Sequence, residues 1–452
     1  MTCDLLVIGG GVAGASAAAR AAEAGANVVV VEKDDRLGGS GALSAGILWT
    51  APDRETLRRV CPRGDPELGG VLVDEYDAAV ERVRGAGVDV SERWHGQMGF
   101  GVAHRIDIAG WLEAARERIE RAGRIAFGRA AVELIVEDRE VRGARVSGAG
   151  GDEEIRAGAV LLATGGFQGD AGLVRRLIGE GAEGMPVRAN PNSVGDGLRM
   201  GQTAGAALSG ALDSFYGHML PSPLERLEPA DYLPLTQYHS HACVVVNRFG
   251  RRFADESRGD EVTNQALLRQ VGSRGVLLCD ERVRTEHAVG PPYPHGQVID
   301  RFEAARASGA RVATADSLDE LVELAEGWGV NAMRLRQTLA DVDAAAAGSP
   351  PPPDDVAIAG WPPPLTEPPF HAVEVQPAIT FTFGGLRGDT DGRALDRDGE
   401  PVAGLYVVGA DLGGLQETGY VGGLVLGLVF GPRAADAALG TGERRTEAVA
   451  RG

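Results

Sequence analysis

Asp4-Leu5-Leu6-Val7-Ile8-Gly9-Gly10-Gly11-Val12-Ala13-Gly14, directly after Cys3, is the stretch that decides the fold. Leu5 to Ile8 is a short branched apolar run, and Ala15 to Ala24 is rich in strong helix formers and closes on Gly25. The pattern predicts strand, tight turn, helix. A second apolar run, Asn27 to Val31, ends on Glu32, at the spacing of about 18–20 residues that a dinucleotide-binding unit places between its last glycine and its acid. Gly9 permits the tight turn, Gly11 lets the backbone approach a pyrophosphate, and Gly14 lets the helix pack close to the strand. The phosphates belong at the helix N-terminus, where unpaired N–H groups and the macrodipole favour negative charge, with Glu32 accepting from a ribose. A bare GxGxxG says little; here strand, helix and acid all flank it.

Outward from that unit, 452 residues with 44 % hydrophobic side chains suit a two-domain globular protein. No apolar run reaches the roughly 20 residues needed to span a bilayer, and no basic leader precedes the first strand, which predicts a cytoplasmic location. A net charge of −19 argues against nucleic acid or an anionic membrane as partner, since both require clustered Lys and Arg. Cys3, Cys61, Cys243 and Cys279 are scattered, so iron–sulfur, c-type haem and structural zinc sites are not expected. Lys33 is the only lysine and stands beside the ribose-binding acid, which leaves little room for Schiff-base chemistry.

Leu37 to Gly46 is a small-residue loop suited either to lying against a flat ring system or to a plain surface turn. It holds no histidine, cysteine or tyrosine for a covalent link to a cofactor. Glu67 to Gly87 and Ile108 to Gly123 read as amphipathic helices, and Val132 to Val136 with Val141 to Val146 as a hairpin. Ala159 to Leu162 predicts a buried strand whose end, Ala163-Thr164-Gly165-Gly166, returns the backbone to the cofactor. Asn192 to Gly197 precedes a helix from Leu198 to Ala204. Between about Leu212 and Pro350 histidines and tyrosines gather, predicting an inserted second domain that returns through the stiff segments Ser349 to Pro353 and Trp361 to Pro364. Gly404 to Asp411 and the glycine-rich Gly419 to Gly431 complete the cofactor elements, and a disordered tail is expected beyond Thr441.

Together the N-terminal unit, Ala163 to Gly166, Asn192 to Gly197 and Gly404 to Gly431 resemble the flavoprotein family of fumarate reductase and succinate dehydrogenase. The resemblance implies an α/β fold, a discontinuous Rossmann-like FAD-binding domain (1–212 and 355–440) with an inserted α+β cap domain (213–354), and substrate held between cap and isoalloxazine. It implies non-covalent FAD contacted by Gly9, Gly11, Val12, Ala13, Gly14, Glu32, Lys33, Gly39, Ser40, Ser44, Gly46, Ala131, Val132, Ala163, Thr164, Gly165, Asn192, Gly195, Asp196, Gly409, Asp411, Val425 and Leu426. In the cap, Asn247 to Glu256 is similar to the family hairpin that ends in an acid on a proton path, here Glu256, with Arg258 close behind. Arg284 stands where those enzymes carry a proton-donating arginine, or is a solvated helix residue; an arginine is a poor acid, with an unperturbed pKa above about 12.

The departures shape the chemistry. Phe381 and Tyr420 stand where fumarate reductases carry the histidine and arginine that grip carboxylates, and an aromatic ring cannot offer a bidentate fork. The segments Ile379-Thr380-Phe381-Thr382 and Gly419-Tyr420 instead look like the 3-ketosteroid dehydrogenase and tricarballylate dehydrogenase branches. That implies a CH–CH oxidoreductase acting next to a carbonyl, with Tyr420 and the Gly422 or Gly423 amide as donors to its oxygen, or with Tyr420 merely packing there. For the proton the candidates are Arg284, then Tyr238, then His241, the last also explicable as a structural histidine. The alternatives are a tricarballylate dehydrogenase-like enzyme using Arg258, Arg284 and His241 on a polycarboxylate, and a flavin-binding electron carrier without turnover. Partners expected are a small-molecule substrate with an activating carbonyl and an external electron acceptor or donor. With no attachment residue between Gly38 and Gly46, the purified protein is expected to be yellow and acid precipitation to release the colour; pigment that stays with the precipitated chain would show a covalent link.

Overall fold

Five parallel strands form the centre of the first unit, in the order Pro401–Val407, Glu153–Leu162, Thr2–Ile8, Val28–Val31, Gly123–Ala126. In this computed structural model, which describes residues 1–349 and 360–440, Leu5 pairs with Val28 and Ala159, and Ile8 with Val31 and Leu162. Leu5, Leu6, Val7 and Val28 to Val30 are wholly buried. Burial on both faces is why these strands are continuous apolar runs and not alternating ones. An antiparallel hairpin, Arg129–Glu137 and Glu140–Gly148, extends the sheet. The helix Val12–Glu23 follows the first strand and packs against the last helix, Leu424–Ala438. Gly427 and Gly431 make that approach possible: a Cβ on either would lie within 2.8 Å of the Ala13 backbone.

The expected helix over 67–87 is two helices, Pro66–Asp74 and Tyr76–Gly85, broken at Glu75. Tyr76 is buried there, its hydroxyl shared between the Leu48 carbonyl, 2.9 Å away, and His104. The helix Ile108–Ala122 and the helix Asp196–Thr203 lie where the patterns place them.

The second unit comprises Gly179–Arg188 and Tyr216–Thr380, and the first the rest of the described chain. Its antiparallel sheet is built on Phe370–Pro377, with Gly275–Asp280 along one edge and Val312–Ala315 and Met219–Pro221 in succession along the other. Val244–Asn247 flanks Gly275–Asp280. Alternation puts Val244, Val246, Val276 and Leu278 into one core with the helices Leu318–Gly327 and Ala332–Ala346. Val245, Leu277, Cys279 and Val373 face the other way, against Phe302 of the helix Arg301–Ala307.

These bounds differ from the expected 213–354. The chain rejoins the first unit at Phe381, not at 355, because Phe370–Pro377 is the central strand of the second sheet. Gly179–Arg188, expected in the first unit, joins the second, where the Arg188 amide donates to the Ile379 carbonyl at 2.7 Å. Trp361, expected in a hinge, packs under the Arg252 guanidinium at 4.6 Å within the second unit. The Pro350 to Pro353 hinge and the tail beyond Thr441 lie outside the described residues. Among the described residues no helix is long and apolar enough to cross a membrane, and no group of three His, Cys, Asp or Glu is placed to hold a metal ion.

Gly14 carries the tightest fit: a Cβ there would overlap the Gly9 carbonyl oxygen and meet Val7 at 3.1 Å. Gly14→Ala is expected to cost at least the ~1–3 kcal/mol of overpacking and to lower flavin content, read by thermal melting and absorbance. Gly85→Ala, on a helix with nothing within 4 Å of its added methyl, is expected to be neutral or stabilising by up to ~1 kcal/mol.

Candidate functional site

Gly11 caps the helix Val12–Glu23 with no side-chain oxygen on the first N–H groups. A Cβ on Gly11 would have only the Gly38 carbonyl, 4.0 Å away, as neighbour, so an open cradle lies over the helix end. Gly39 borders it, 3.4 Å from the Gly11 Cα by the same measure. Gly9 adopts φ +101°, the left-handed half of the map that a side chain resists, and its strand-to-helix turn is held by the Gly38 amide on the Gly10 carbonyl at 2.8 Å. Uncapped N–H groups beneath an open backbone cradle fit a pyrophosphate.

Glu32 is buried and each carboxylate oxygen already has a backbone donor, the Gly10 amide at 2.6 Å and the Asp34 amide at 2.8 Å. Each oxygen keeps a second lone pair for a ribose hydroxyl. Lys33 pairs with Asp196 at 2.8 Å, and Asp34 holds the side chains of Asn190 and Asn192. The Ser40 hydroxyl accepts from the Asn190 amide at 3.1 Å, and the Ser44 hydroxyl closes on the Gly41 carbonyl at 2.7 Å. The Arg129 amide bonds the Glu32 carbonyl at 3.0 Å, which sets the strand carrying Ala131 and Val132 beside the acid. Val132 is 57 % exposed, a bare apolar side chain of the kind a planar base covers.

At the other end, the Asp411 carboxylate accepts from the Thr164 amide at 2.5 Å, the Thr164 hydroxyl at 3.2 Å and the Gly166 amide at 3.0 Å. Burial pushes its pKa up, and the backbone N–H groups of Gly166 and Thr164 pull it back. The Thr164 hydroxyl oxygen accepts in turn from Gly197 at 2.9 Å. Asp411, Thr164 and Asp196, expected on the cofactor, also hold these loops together. Gly46 and Gly409 take φ +73° and +66°, while Val425 and Leu426 are buried on the last helix. Thr50 Oγ1, Thr382 Oγ1 and Gln168 Oε1 are buried without a hydrogen-bond partner. The last two surround Gly166, and Thr382 lines a small cleft with Phe381, Phe383, Gln416 and Leu426. Orphaned polar atoms around a glycine turn fit a polar, flat ligand ring.

Tyr420 sits in an aromatic group of the same unit, its ring 5.1 Å from Trp49 and 5.9 Å from Phe381. Gln416 pins the backbone behind it, accepting from the Val421 amide at 2.8 Å and donating to the Gly422 carbonyl at 3.2 Å. Gly422 takes φ +107°, and Gly423 caps the helix Leu424–Ala438 without a side-chain oxygen. A Cβ on Gly423 would lie 3.4 Å from the Tyr420 hydroxyl and 3.3 Å from Phe381. Tyr420, Gly422 and Gly423 are therefore brought together, with Trp49 as a neighbour the motifs do not reveal.

In the second unit the proposed acids lie on adjoining short segments, Tyr238–Ala242 touching both Glu256–Arg258 and Arg284–Ala288. Arg284 pairs with Glu281 at 3.3 Å and with Asp300. His241 is exposed and its Nδ1 lies 3.1 Å from the Tyr238 carbonyl; Arg258 is exposed. Glu256, expected on a proton path, is 1 % exposed and clamped by Arg252 through two guanidinium nitrogens at 2.5 and 3.0 Å. Burial raises its pKa, against the lowering by Arg252. The Tyr238 ring packs 4.8 Å from His218, and the Arg301 guanidinium lies over the same ring at 5.4 Å. His218 itself bridges Tyr216 and Asp260, at 2.6 and 2.5 Å. That chain was not legible from motifs, because 42 residues separate His218 from Asp260.

A family profile described as FAD binding domain matches residues 4–425. The chain belongs to this FAD-binding family. A fumarate reductase (cytochrome) of Shewanella frigidimarina is 27 % identical over 93 % of this chain and 74 % of its own. A 4-oxocyclohexanecarboxylate 2-dehydrogenase of Sinomonas cyclohexanicum is 27 % identical over 95 % of this chain and 91 % of its own. The solved 3-ketosteroid Δ1-dehydrogenase of Sterolibacterium denitrificans shares the fold, with a TM-score of 0.75 at 19 % identity over 97 % of this chain and all of its own. The cradle at Gly11 and the orphaned atoms at Gly166 agree with the FAD that membership brings, and the protein is an FAD-dependent oxidoreductase acting on CH–CH groups.

Because Arg252 and Glu256 are both sealed from water, Glu256→Gln leaves a buried guanidinium without its counter-charge. Breaking one side of such a pair costs about 3–5 kcal/mol. The variant is expected to melt well below wild type, whereas a proton-path role alone would change the rate and leave the melting temperature in place.

Proposed function

We propose that the protein dehydrogenates, or in reverse reduces, the CH–CH bond next to the carbonyl of a small ketone or enone. The observation that carries this is the Tyr420 hydroxyl beside the uncapped start of the helix Leu424–Ala438, within an aromatic surface that offers no guanidinium fork. Non-covalently bound FAD supplies the hydride acceptor or donor. The chain supplies the rest. As the α-proton leaves, charge builds on the carbonyl oxygen, and an oriented phenol and backbone N–H groups stabilise it because they need not reorganise. Trp49 and Phe381 keep water from that oxygen and strengthen each donor. A tyrosine lacks the charge to hold a carboxylate but has the single donor that a neutral carbonyl needs. The relatives named for 4-oxocyclohexanecarboxylate and for 4-oxocyclohex-2-ene-1-carboxylate act, by those names, on ring ketones.

A polycarboxylate substrate remains the second reading, drawing on Arg258, Arg284 and His241. The two acidic partners of Arg284 weigh against it, since a guanidinium so engaged must first be released. An external electron acceptor or donor completes either cycle.

Anaerobic titration of the FAD-loaded protein with 4-oxocyclohexanecarboxylate, plain cyclic ketones, succinate and tricarballylate, watching the flavin bleach, decides between them. Ring ketones are expected to bleach it and succinate to do so poorly, since each missing charge-assisted hydrogen bond costs about 1.5–3 kcal/mol. Bleaching by tricarballylate alone would overturn the ketone reading. Tyr420→Phe is expected to slow single-turnover bleaching by about 10²–10³ with FAD content and melting unchanged, the loss typical of one oxyanion-hole donor. Bleaching at the wild-type rate would reduce Tyr420 to a packing residue.

A further inference from the structure

Tyr216 and His218 lie two apart on an extended segment, so their side chains share one side of it. Tyr216 Oη is 2.6 Å from His218 Nε2, and His218 Nδ1 is 2.5 Å from Asp260 Oδ2. The other Asp260 oxygen accepts from the Met219 amide at 3.3 Å. The segment cannot drift: a Cβ on Gly217 would overlap the Ala378 carbonyl, and Asn264 clamps Ala378 through its amide at 3.1 Å and its carbonyl at 3.0 Å. His218 and Asp260 are sealed, at 0 % and 3 % exposure, and only Tyr216 keeps part of its surface open. The result is a three-member hydrogen-bonded chain with one accessible end.

Burial pushes the Asp260 carboxyl up to about 8 and His218 well below its ordinary value. Each would resist a charge alone, but together they can pass a proton between them at no net charge. Arg188 acts on both, His241 and Ser240 act on Asp260, and the Tyr238 ring lies against His218. Among the residues proposed from sequence, Arg284 is held by two carboxylates and Glu256 by Arg252. Neither offers a comparable path. Tyr216 is also the first residue after the chain leaves the first unit, and the Thr380 amide that bonds its carbonyl at 2.7 Å immediately precedes Phe381.

We propose that Tyr216 is the acid and base that moves the substrate proton, with His218 and Asp260 as positioning residues that take up and return the proton of its hydroxyl. This rests on the carbonyl-adjacent reaction above. In the oxidative direction the Tyr216 O–H proton passes to His218 Nε2 while the His218 Nδ1 proton passes to the Asp260 carboxylate, so His218 stays neutral. The phenolate takes the substrate α-proton, and the electron pair of that C–H bond stays on the substrate as the enolate. FAD held by the first unit would supply the two-electron oxidant that takes up the β-hydrogen with its electron pair. The reductive direction returns the same proton from Tyr216 to carbon.

The test uses the FAD-loaded protein and 4-oxocyclohexanecarboxylate, or whichever ring ketone bleaches wild type. Tyr216→Phe is expected to slow single-turnover bleaching by about 10²–10⁴, the range for general acid–base catalysis, with FAD content and melting unchanged. Asp260→Asn is expected to slow it and to move its pH profile, which a merely structural aspartate would leave in place. His218→Gln replaces it if that variant does not fold. Tyr216→Phe bleaching at the wild-type rate overturns the assignment and leaves the ketone reading intact. If no ketone bleaches wild type, the ketone reading falls and proton NMR decides the relay. A far-downfield imidazole proton lost in Asp260→Asn and shifted in Tyr216→Phe supports it; a spectrum unchanged by both overturns it.

Discussion

The first unit depends on one buried carboxylate. Asp411 gathers the Thr164 amide, the Thr164 hydroxyl and the Gly166 amide, while Thr164 receives the Gly197 amide, so a single side chain ties together segments near 165, 197 and 411. Neutral backbone N–H groups do the work that a cation would do elsewhere, and their directions fix the loop geometry more narrowly than a mobile lysine could. An apolar residue at 411 would leave the Thr164 and Gly166 amides without their acceptor in a dry interior, which is costly for each. These loops are preorganised because their donors point at a buried carboxyl group rather than at solvent.

The same economy governs the aromatic end of that unit. Tyr420, Trp49 and Phe381 form a rigid apolar surface with a single hydroxyl beside an uncapped helix start. A strongly charged residue here would carry a desolvation cost at all times, whereas a phenol is nearly neutral in its demands until an anion develops next to it. Such a surface favours a substrate whose charge appears only during reaction.

How much of this was legible in the sequence follows from burial. The strands Thr2–Ile8, Val28–Val31 and Glu153–Leu162 end in residues buried on both faces and read as apolar runs, and the glycines between them stand where φ or close approach demands them. The crossing back from the second unit was misplaced because Phe370–Pro377, although buried throughout, carries His371, Glu374 and Gln376. Each is satisfied by a distant partner, Glu281, Arg311 and the Pro221 carbonyl, so polarity concealed a central strand. The Tyr216, His218 and Asp260 chain was hidden for the related reason that hydrogen bonding between remote residues leaves no period in the sequence. The motif around Tyr420 was visible, but Trp49 beside it was not.

The contact of Gly427 and Gly431 with Ala13 has a consequence for biosynthesis. The first helix leaves the ribosome some four hundred residues before the surface that covers it is made. Chains elongate at about 5–20 residues per second and domains tend to fold as units. That helix therefore waits tens of seconds with its alanine face bare, and the second unit, all of whose strands and helices lie between, is free to fold first.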